Sequence, residues 1–272
     1  MAFINYATKN VAIKIVYYGP GLSGKTTNLR YIHSKLDPDK RGDLVCLETD
    51  VERTYFFDLL PIKAGLIGDF RVHFQLLTVP GQMYYDASRK SVLKGADGIV
   101  FVADSQVPLL DANLGSFDGL RRNCVEHGID LNAIPMVFQY NKRDLNPLIP
   151  VETFNSLLNP RRLPYIEAVA LDGIGVFESL REIAKLTVPN VREEILGEKR
   201  KGAPAGKMPI EEKIEEMREK PKAGPKAKKE DIEFVSPAPA ARGEVKKIKI
   251  KSTQDIEAEL EKLAKEFTGK SK

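Results

Sequence analysis

Between Val11 and about Leu186, runs of apolar, β-branched residues alternate with stretches whose apolar positions recur at the helical period. That alternation predicts an α/β fold, a mostly parallel sheet with helices on both faces. Strands are expected at Ala12–Tyr18, Arg71–Val79, Gly98–Ala103, Pro135–Tyr140 and Tyr165–Val169. The run Gly98-Ile99-Val100-Phe101-Val102-Ala103 lacks any polar side chain, as a central strand covered on both sides should. Helices are expected at Lys25–Leu36, Asp111–His127, Val151–Leu158 and Val176–Thr187, with shorter pieces around Tyr84–Leu93.

After Asn190 the pattern gives way to Lys, Glu, Pro, Gly and Ala, and aromatic residues nearly vanish. The boundary is placed near Gly197, giving a folded unit over 1–196 and a charged, largely flexible tail over 197–272. Gly202–Lys207, Pro221–Lys229 and Ser236–Gly243 read as linkers. Two short amphipathic helices are expected in the tail. Pro209–Lys220 aligns Ile210, Ile214 and Met217, and a second helix after Ser252 or Thr253 aligns Ile256, Leu260, Leu263 and Phe267.

Composition narrows the class. A chain of 272 residues, 42% hydrophobic and 29% charged, can bury one good core with something appended. Cys46 and Cys124 are too few for a disulfide framework and have no zinc-ligand spacing, so a reducing cytoplasm is expected. No run approaches the roughly 18 apolar residues of a membrane span, and the start lacks the pattern of a signal peptide. Ala2 stands where myristoylation needs glycine, and the ending Gly-Lys-Ser-Lys offers no prenylation cysteine, so lipid anchors are not expected. The net charge is +4, and about 20 of the 42 basic residues follow Gly197 beside about 15 of the 38 acidic ones, a mixture too balanced to favour nucleic acid. His33, His73 and His127 have no partners at ligand spacing and read as surface or strand residues.

The chemistry starts at Gly19-Pro20-Gly21-Leu22-Ser23-Gly24-Lys25-Thr26, which follows a strand and opens a helix, the context a phosphate loop requires. Gly19, Gly21, Leu22, Ser23, Gly24, Lys25, Thr26 and Thr27 are the expected phosphate-binding residues. Backbone N–H groups curl around the phosphates, Lys25 reaches the β- and γ-phosphate oxygens, and the Thr26 hydroxyl ligates magnesium. A phosphate loop does not choose the base, but Asn141-Lys142-Arg143-Asp144 does. The Asp144 carboxylate can accept from the guanine N1–H and exocyclic amine, which adenine cannot supply. Lys142 would lie over the base, and Asn141 would tie this loop to the phosphate loop. After the next strand, the backbone N–H of Ala170 is the expected donor to guanine O6.

Thr78-Val79-Pro80-Gly81-Gln82 stands at a strand end where DxxG followed by Gln is usual. Gly81 can offer its N–H to the γ-phosphate and hinge the switch, Gln82 can orient the attacking water, and Thr78 replaces the magnesium-supporting Asp. Asp104 and Ser105 are read as helix caps.

These segments, with Phe3-Ile4-Asn5-Tyr6, Lys14-Ile15-Val16-Tyr17-Tyr18, Tyr85-Asp86-Ala87-Ser88-Arg89-Lys90 and Gln139-Tyr140, closely resemble the bacterial MglA proteins over about residues 1–190. In that family Thr-Val-Pro-Gly is the normal form. The resemblance implies a Ras-like GTPase switch for cell polarity and motility, recruited from the cytoplasm to a pole, with GTP or GDP and magnesium bound. It also implies an activating Roadblock-type partner, MglB, expected as a homodimer, and an arginine finger in the first switch. Glu52-Arg53-Thr54-Tyr55-Phe56-Phe57-Asp58 matches that segment, so Arg53 would neutralise charge on the transferring phosphate and Thr54 would ligate magnesium or the γ-phosphate. Effector or cytoskeletal partners are expected through the tail. A rival reading is a nucleotide-gated scaffold with little hydrolysis; another makes Lys246-Lys247-Ile248-Lys249-Ile250-Lys251 a dock for anionic lipid or nucleic acid.

Overall fold

The computed structural model describes residues 2–49, 57–81, 86–196 and 246–250. Its centre is β2 (Asn10–Tyr18), flanked in parallel by β5 (Phe70–Thr78) on one side and β6 (Gly98–Asp104) on the other. Beyond β6 lie β7 (Met136–Asn141) and β8 (Tyr165–Glu167), both parallel. Beyond β5 lie β4 (Phe57–Ile67) and β3 (Val45–Thr49), both antiparallel to their inner neighbour. β1 (Phe3–Asn5) pairs antiparallel with the start of β2, and β9 (Lys246–Ile250) adds in parallel outside β3. This is the mostly parallel, doubly covered sheet that the apolar patterning predicts.

Period-two alternation divides β2 between two cores. Val11, Ile13, Ile15 and Tyr17 face the side covered by α1 (Lys25–Lys35) and α5 (Val176–Leu196). Val16 and Tyr18 face the side of α2 (Asp86–Leu93), α3 (Leu110–Glu126) and α4 (Val151–Leu157). β6 divides the same way, with Val100 and Val102 on one side and Ile99, Phe101 and Ala103 on the other. Its lack of polar side chains before Asp104 follows from that double burial. Among the described residues, no helix is long and apolar enough to cross a membrane.

The expected strands and helices are present with ends shifted by a residue or two, except at α5. That helix does not stop at Thr187 but runs through Pro189 to Leu196. Val191 is buried and Ile195 packs on the same core, so the apolar stripe continues past the proline and burial outweighs its missing hydrogen bond.

β1, β3, β4 and β9 are additions to the expected elements. Pro61 and Gly65 make 57–67 read poorly as a strand, yet both are accommodated. Pairing with β3 begins at Leu59, so Pro61 lies beyond it, and its carbonyl accepts from the Gly42 N–H at 2.8 Å. Gly65, at φ 118°, sits where the register with β5 shifts. The candidate tail helices at Pro209–Lys220 and Ile256–Phe267 lie outside the described residues.

Candidate nucleotide site

β2 ends at Tyr18 and α1 starts at Lys25, so Gly19–Gly24 turns the chain from the sheet centre into a helix. Gly19 (φ 149°) and Gly24 (φ 99°) occupy backbone conformations that L side chains rarely take. A Cβ at Gly19 would strike the Val102 carbonyl, and one at Gly24 the Asn141 amide. Leu22, also left-handed at φ 61°, turns outward and is 91% exposed. Among the described residues the N-terminus of α1 finds no side-chain cap, and its first turn holds no acidic residue. Its N–H groups and positive dipole end are therefore left for an external anion.

Lys25 is buried beneath this loop, with Nζ donating to the carbonyls of Gly19 (3.0 Å) and Pro20 (2.6 Å). Burial pushes its pKa down to about 7; the positive charge of Arg89 adds to that effect and the carboxylate of Asp58 opposes it. A cation so reluctant to hold its charge is stabilised when an anion enters. Ser23 Oγ is buried in the same loop and has no partner among the described residues.

The next residue, Thr26, reaches the sheet. Its hydroxyl donates to Asp58 Oδ2 at 2.7 Å, and the Thr78 hydroxyl donates to that same oxygen at 3.1 Å. Asp58 Oδ1 accepts from Cys46 Sγ at 2.7 Å, and the Asp58 N–H donates to Thr78 Oγ1 at 2.9 Å. A buried carboxylate on β4 thus holds the first turn of α1 to the end of β5. Thr78 itself carries no negative charge, and the Asp58 carboxylate of the neighbouring strand lies within hydrogen-bond reach of its hydroxyl. Thr27 is half-buried in the same turn of α1.

Gly81 lies so close to the phosphate loop that a Cβ on it would overlap Gly21 and Pro20. The chain after β5 therefore meets the loop backbone to backbone. Arg53, Thr54 and Gln82 lie outside the described residues.

The second loop follows β7. Asn141 Nδ2 donates to the Ser23 carbonyl at 2.8 Å, and Asn141 Oδ1 accepts from the Ala170 N–H at 2.9 Å. One side chain fastens the loops after β2, β7 and β8 together. The Ala170 N–H, the expected donor to guanine O6, is thus already committed to Asn141. Lys142 adopts φ 65°, and its Nζ pairs with Asp104 Oδ2 at 2.6 Å. Asp104 is buried at the end of β6 and also accepts from the Gln106 N–H at 3.1 Å. The expectation that Asp104 caps a helix is therefore corrected, because among the described residues α3 has no side-chain cap and the carboxylate pairs with Lys142 instead. Asp144 is exposed in the same loop, free of the strand ladder.

Behind the loops a polar network replaces apolar packing. Asn28 and Gln139 exchange amide hydrogen bonds at 2.8 and 2.9 Å, Asn28 Nδ2 also donates to the Gly24 carbonyl at 2.9 Å, and Gln139 Nε2 donates to Ser179 Oγ at 2.9 Å. All three side chains are buried, so the start of α1, β7 and α5 are locked to one another. His33, expected at the surface or in a strand, is instead buried on α1 against Arg41. Among the described residues no group of His, Cys, Asp and Glu could hold a metal by itself.

Gly19–Thr26, Thr78–Gly81, Asn141–Asp144 and Ala170 all sit at the carboxyl ends of parallel strands, where open α/β sheets bind nucleotides. A phosphate loop bolted through one asparagine to an Asn-Lys-x-Asp loop on such a sheet defines a Ras-like small GTPase, an enzyme that binds GTP and GDP and hydrolyses GTP. No protein-family model matches the chain. Over 193 residues it is 52% identical to the mutual gliding-motility protein MglA of Myxococcus xanthus, a match covering 71% of this chain and 99% of that protein. The chain belongs to the MglA family, and carries a further C-terminal region.

Proposed function

We propose that the chain is a GTP-driven switch in bacterial gliding motility or cell polarity; gliding motility is the process in the name of its Myxococcus xanthus relative. The observation that carries the reading is the junction at Asn141, which couples the phosphate loop and the base loop into one rigid cradle. Within it, Gly19, Gly21, Leu22, Ser23, Gly24 and Thr27 present the loop backbone and first turn to the phosphates. Lys25 regains full charge against them, Lys142 covers the base and Asp144 reads guanine. Gly81 senses the γ-phosphate, Gln82 orients water and Arg53 neutralises charge as the γ-phosphoryl group leaves.

The donor set around Thr26 fits magnesium, because hydroxyl and carboxylate oxygens bearing one negative charge suit a hard divalent cation. Thr26, joined by Thr54, would hold the ion, and Asp58 with Thr78 would orient Thr26 from behind. When bound, the ion draws charge from the β- and γ-phosphate oxygens.

The same reading assigns 1–196 to the GTPase unit and 197–272 to an arm that brings the switch to its effector at a pole, with a Roadblock-type dimer as the activator. The test is to incubate the purified full chain with GTP and with ATP, alone and with a Roadblock-type partner. Partner-stimulated release of phosphate from GTP and none from ATP is expected. Equal binding of the two nucleotides refutes the assignment of the base loop, and GTP binding without stimulated turnover favours a scaffold.

A further inference from the structure

In the order β8-β7-β6-β2-β5-β4-β3, the sheet would end on β3, a strand with one side of its backbone unpaired. Such an edge is a ready template for another strand. The chain meets it with β9, paired in parallel from Val45↔Lys246 through Cys46↔Lys247, Leu47↔Ile248 and Glu48↔Lys249 to Thr49↔Ile250. In this register Ile248 is the partner of Leu47 and Lys249 the partner of Glu48. A slip of one residue would set lysine against Leu47 and isoleucine against Glu48.

β9 also changes the character of the edge. Lys247-Ile248-Lys249-Ile250 alternates at the strand period, and lysine is a residue by which natural sheets discourage further pairing. Direction matters as well. β3 runs antiparallel to β4, whose Phe57 end lies toward Thr78, so Thr49 and its partner Ile250 stand at the nucleotide end of the sheet. In sequence, β3 leads directly into the segment containing Arg53 and Thr54.

We propose that Lys246–Ile250 is an internal strand-addition segment by which the tail docks in cis on β3, closing an edge that a strand from another chain would otherwise occupy. A strand of this length binds weakly by itself, and because it belongs to the same chain as β3 its pairing is intramolecular and favoured over the same strand offered from a second chain. Docking is therefore reversible. A protein that supplies a better strand for β3 can release the tail, and the region beyond the family match acts as a built-in competitor for that surface. This inference does not depend on which motility system the switch serves.

Paired cysteines in the full chain test it. Glu48→Cys with Lys249→Cys joins register partners, whereas Glu48→Cys with Lys246→Cys is out of register and on alternate faces of β9. Both pairs carry Glu48→Cys, so any effect of that change on folding is common to them. Under mild oxidation the in-register pair is expected to cross-link within one chain at least tenfold faster. Equal rates, no cross-link, or cross-links joining two chains each overturn docking in cis. A second measurement uses a synthetic peptide of residues 244–252 and the full-chain variant Ile248→Pro with Ile250→Pro, which cannot complete the ladder. The peptide is expected to bind this variant at least tenfold more tightly than the parent, whose edge is taken. Equal affinity for both refutes the proposal.

Discussion

Replacing Asp58 by Asn removes one negative charge and little volume, which isolates the carboxylate's electrostatic role. The side chain is buried and accepts hydrogen bonds from Thr26, Thr78 and Cys46. Asn keeps one acceptor oxygen, so part of the geometry survives while the charge is lost. The Thr26 hydroxyl, 2.7 Å from Oδ2, is the proposed magnesium ligand, so the carboxylate would act on the ion through Thr26. Losing such a partner typically weakens a metal site about 10- to 100-fold, or about 1.4–2.7 kcal/mol.

Fluorescent GDP release measured against free magnesium gives the quantity directly. The magnesium concentration at half-maximal retention is expected to rise about 10- to 100-fold in Asp58→Asn, with release rates converging at saturating magnesium. Nucleotide affinity in excess EDTA should change far less, because the phosphate loop and base loop are untouched. An unchanged magnesium midpoint refutes the role of Asp58. A loss of affinity that persists in EDTA instead makes Asp58 a structural tie between α1 and β5.

Asp144→Asn is expected to reduce guanine affinity and raise that for xanthine nucleotides, checked by competition against fluorescent GDP; unaltered base preference refutes the reading of that loop. Gly21→Val, Arg53→Ala and Gln82→Leu should each keep nucleotide binding while lowering partner-stimulated hydrolysis by about 10²-fold or more in single-turnover assays, and normal stimulated turnover by Arg53→Ala excludes the finger. Gly98→Ala should destabilise the fold by about 1–3 kcal/mol in urea, because its Cβ would stand 2.7 Å from Thr187 Oγ1 and 3.0 Å from Ile15 Cδ1 between β6 and α5. Cys124 is buried in the core and its thiol is pushed up to about 11, so it should resist thiol reagents at pH 8 in the native protein and react on unfolding.

The sequence was most legible where one local pattern sufficed. β2, β6 and β7 announce themselves because each is apolar over most of its length, and the phosphate loop because glycine spacing and a following helix coincide. β4 hid behind Pro61 and Gly65, whose tolerance depends on where β3 pairing begins and where the register with β5 shifts. The extent of α5 hid behind Pro189, since only the tertiary contacts of Val191 and Ile195 show that the helix continues. Asn141 was readable as a tie to the phosphate loop. That it also takes the Ala170 N–H was not, because that bond joins residues brought together only by adjacent parallel strands.

Asp58 and Asp104 carry the same lesson into the chemistry. Each is an acid at or within an apolar strand run, Phe57-Asp58-Leu59-Leu60 and Phe101-Val102-Ala103-Asp104, where an unpaired charge would be costly. Burial of a carboxylate in such a run requires a partner, and here the partners are Thr26 and Lys142, a phosphate-loop residue and a base-loop residue. The acid missing at Thr78 and the acid buried at Asp58 meet in one hydrogen-bonded cluster. The strand register sets β4 beside β5, and on the proposed reading Asp58 would supply the charge that Thr78 lacks. On that reading a motif defined along one strand is completed from its neighbour, and the sign to look for is a buried acid hydrogen-bonded to the residue that departs from the usual motif.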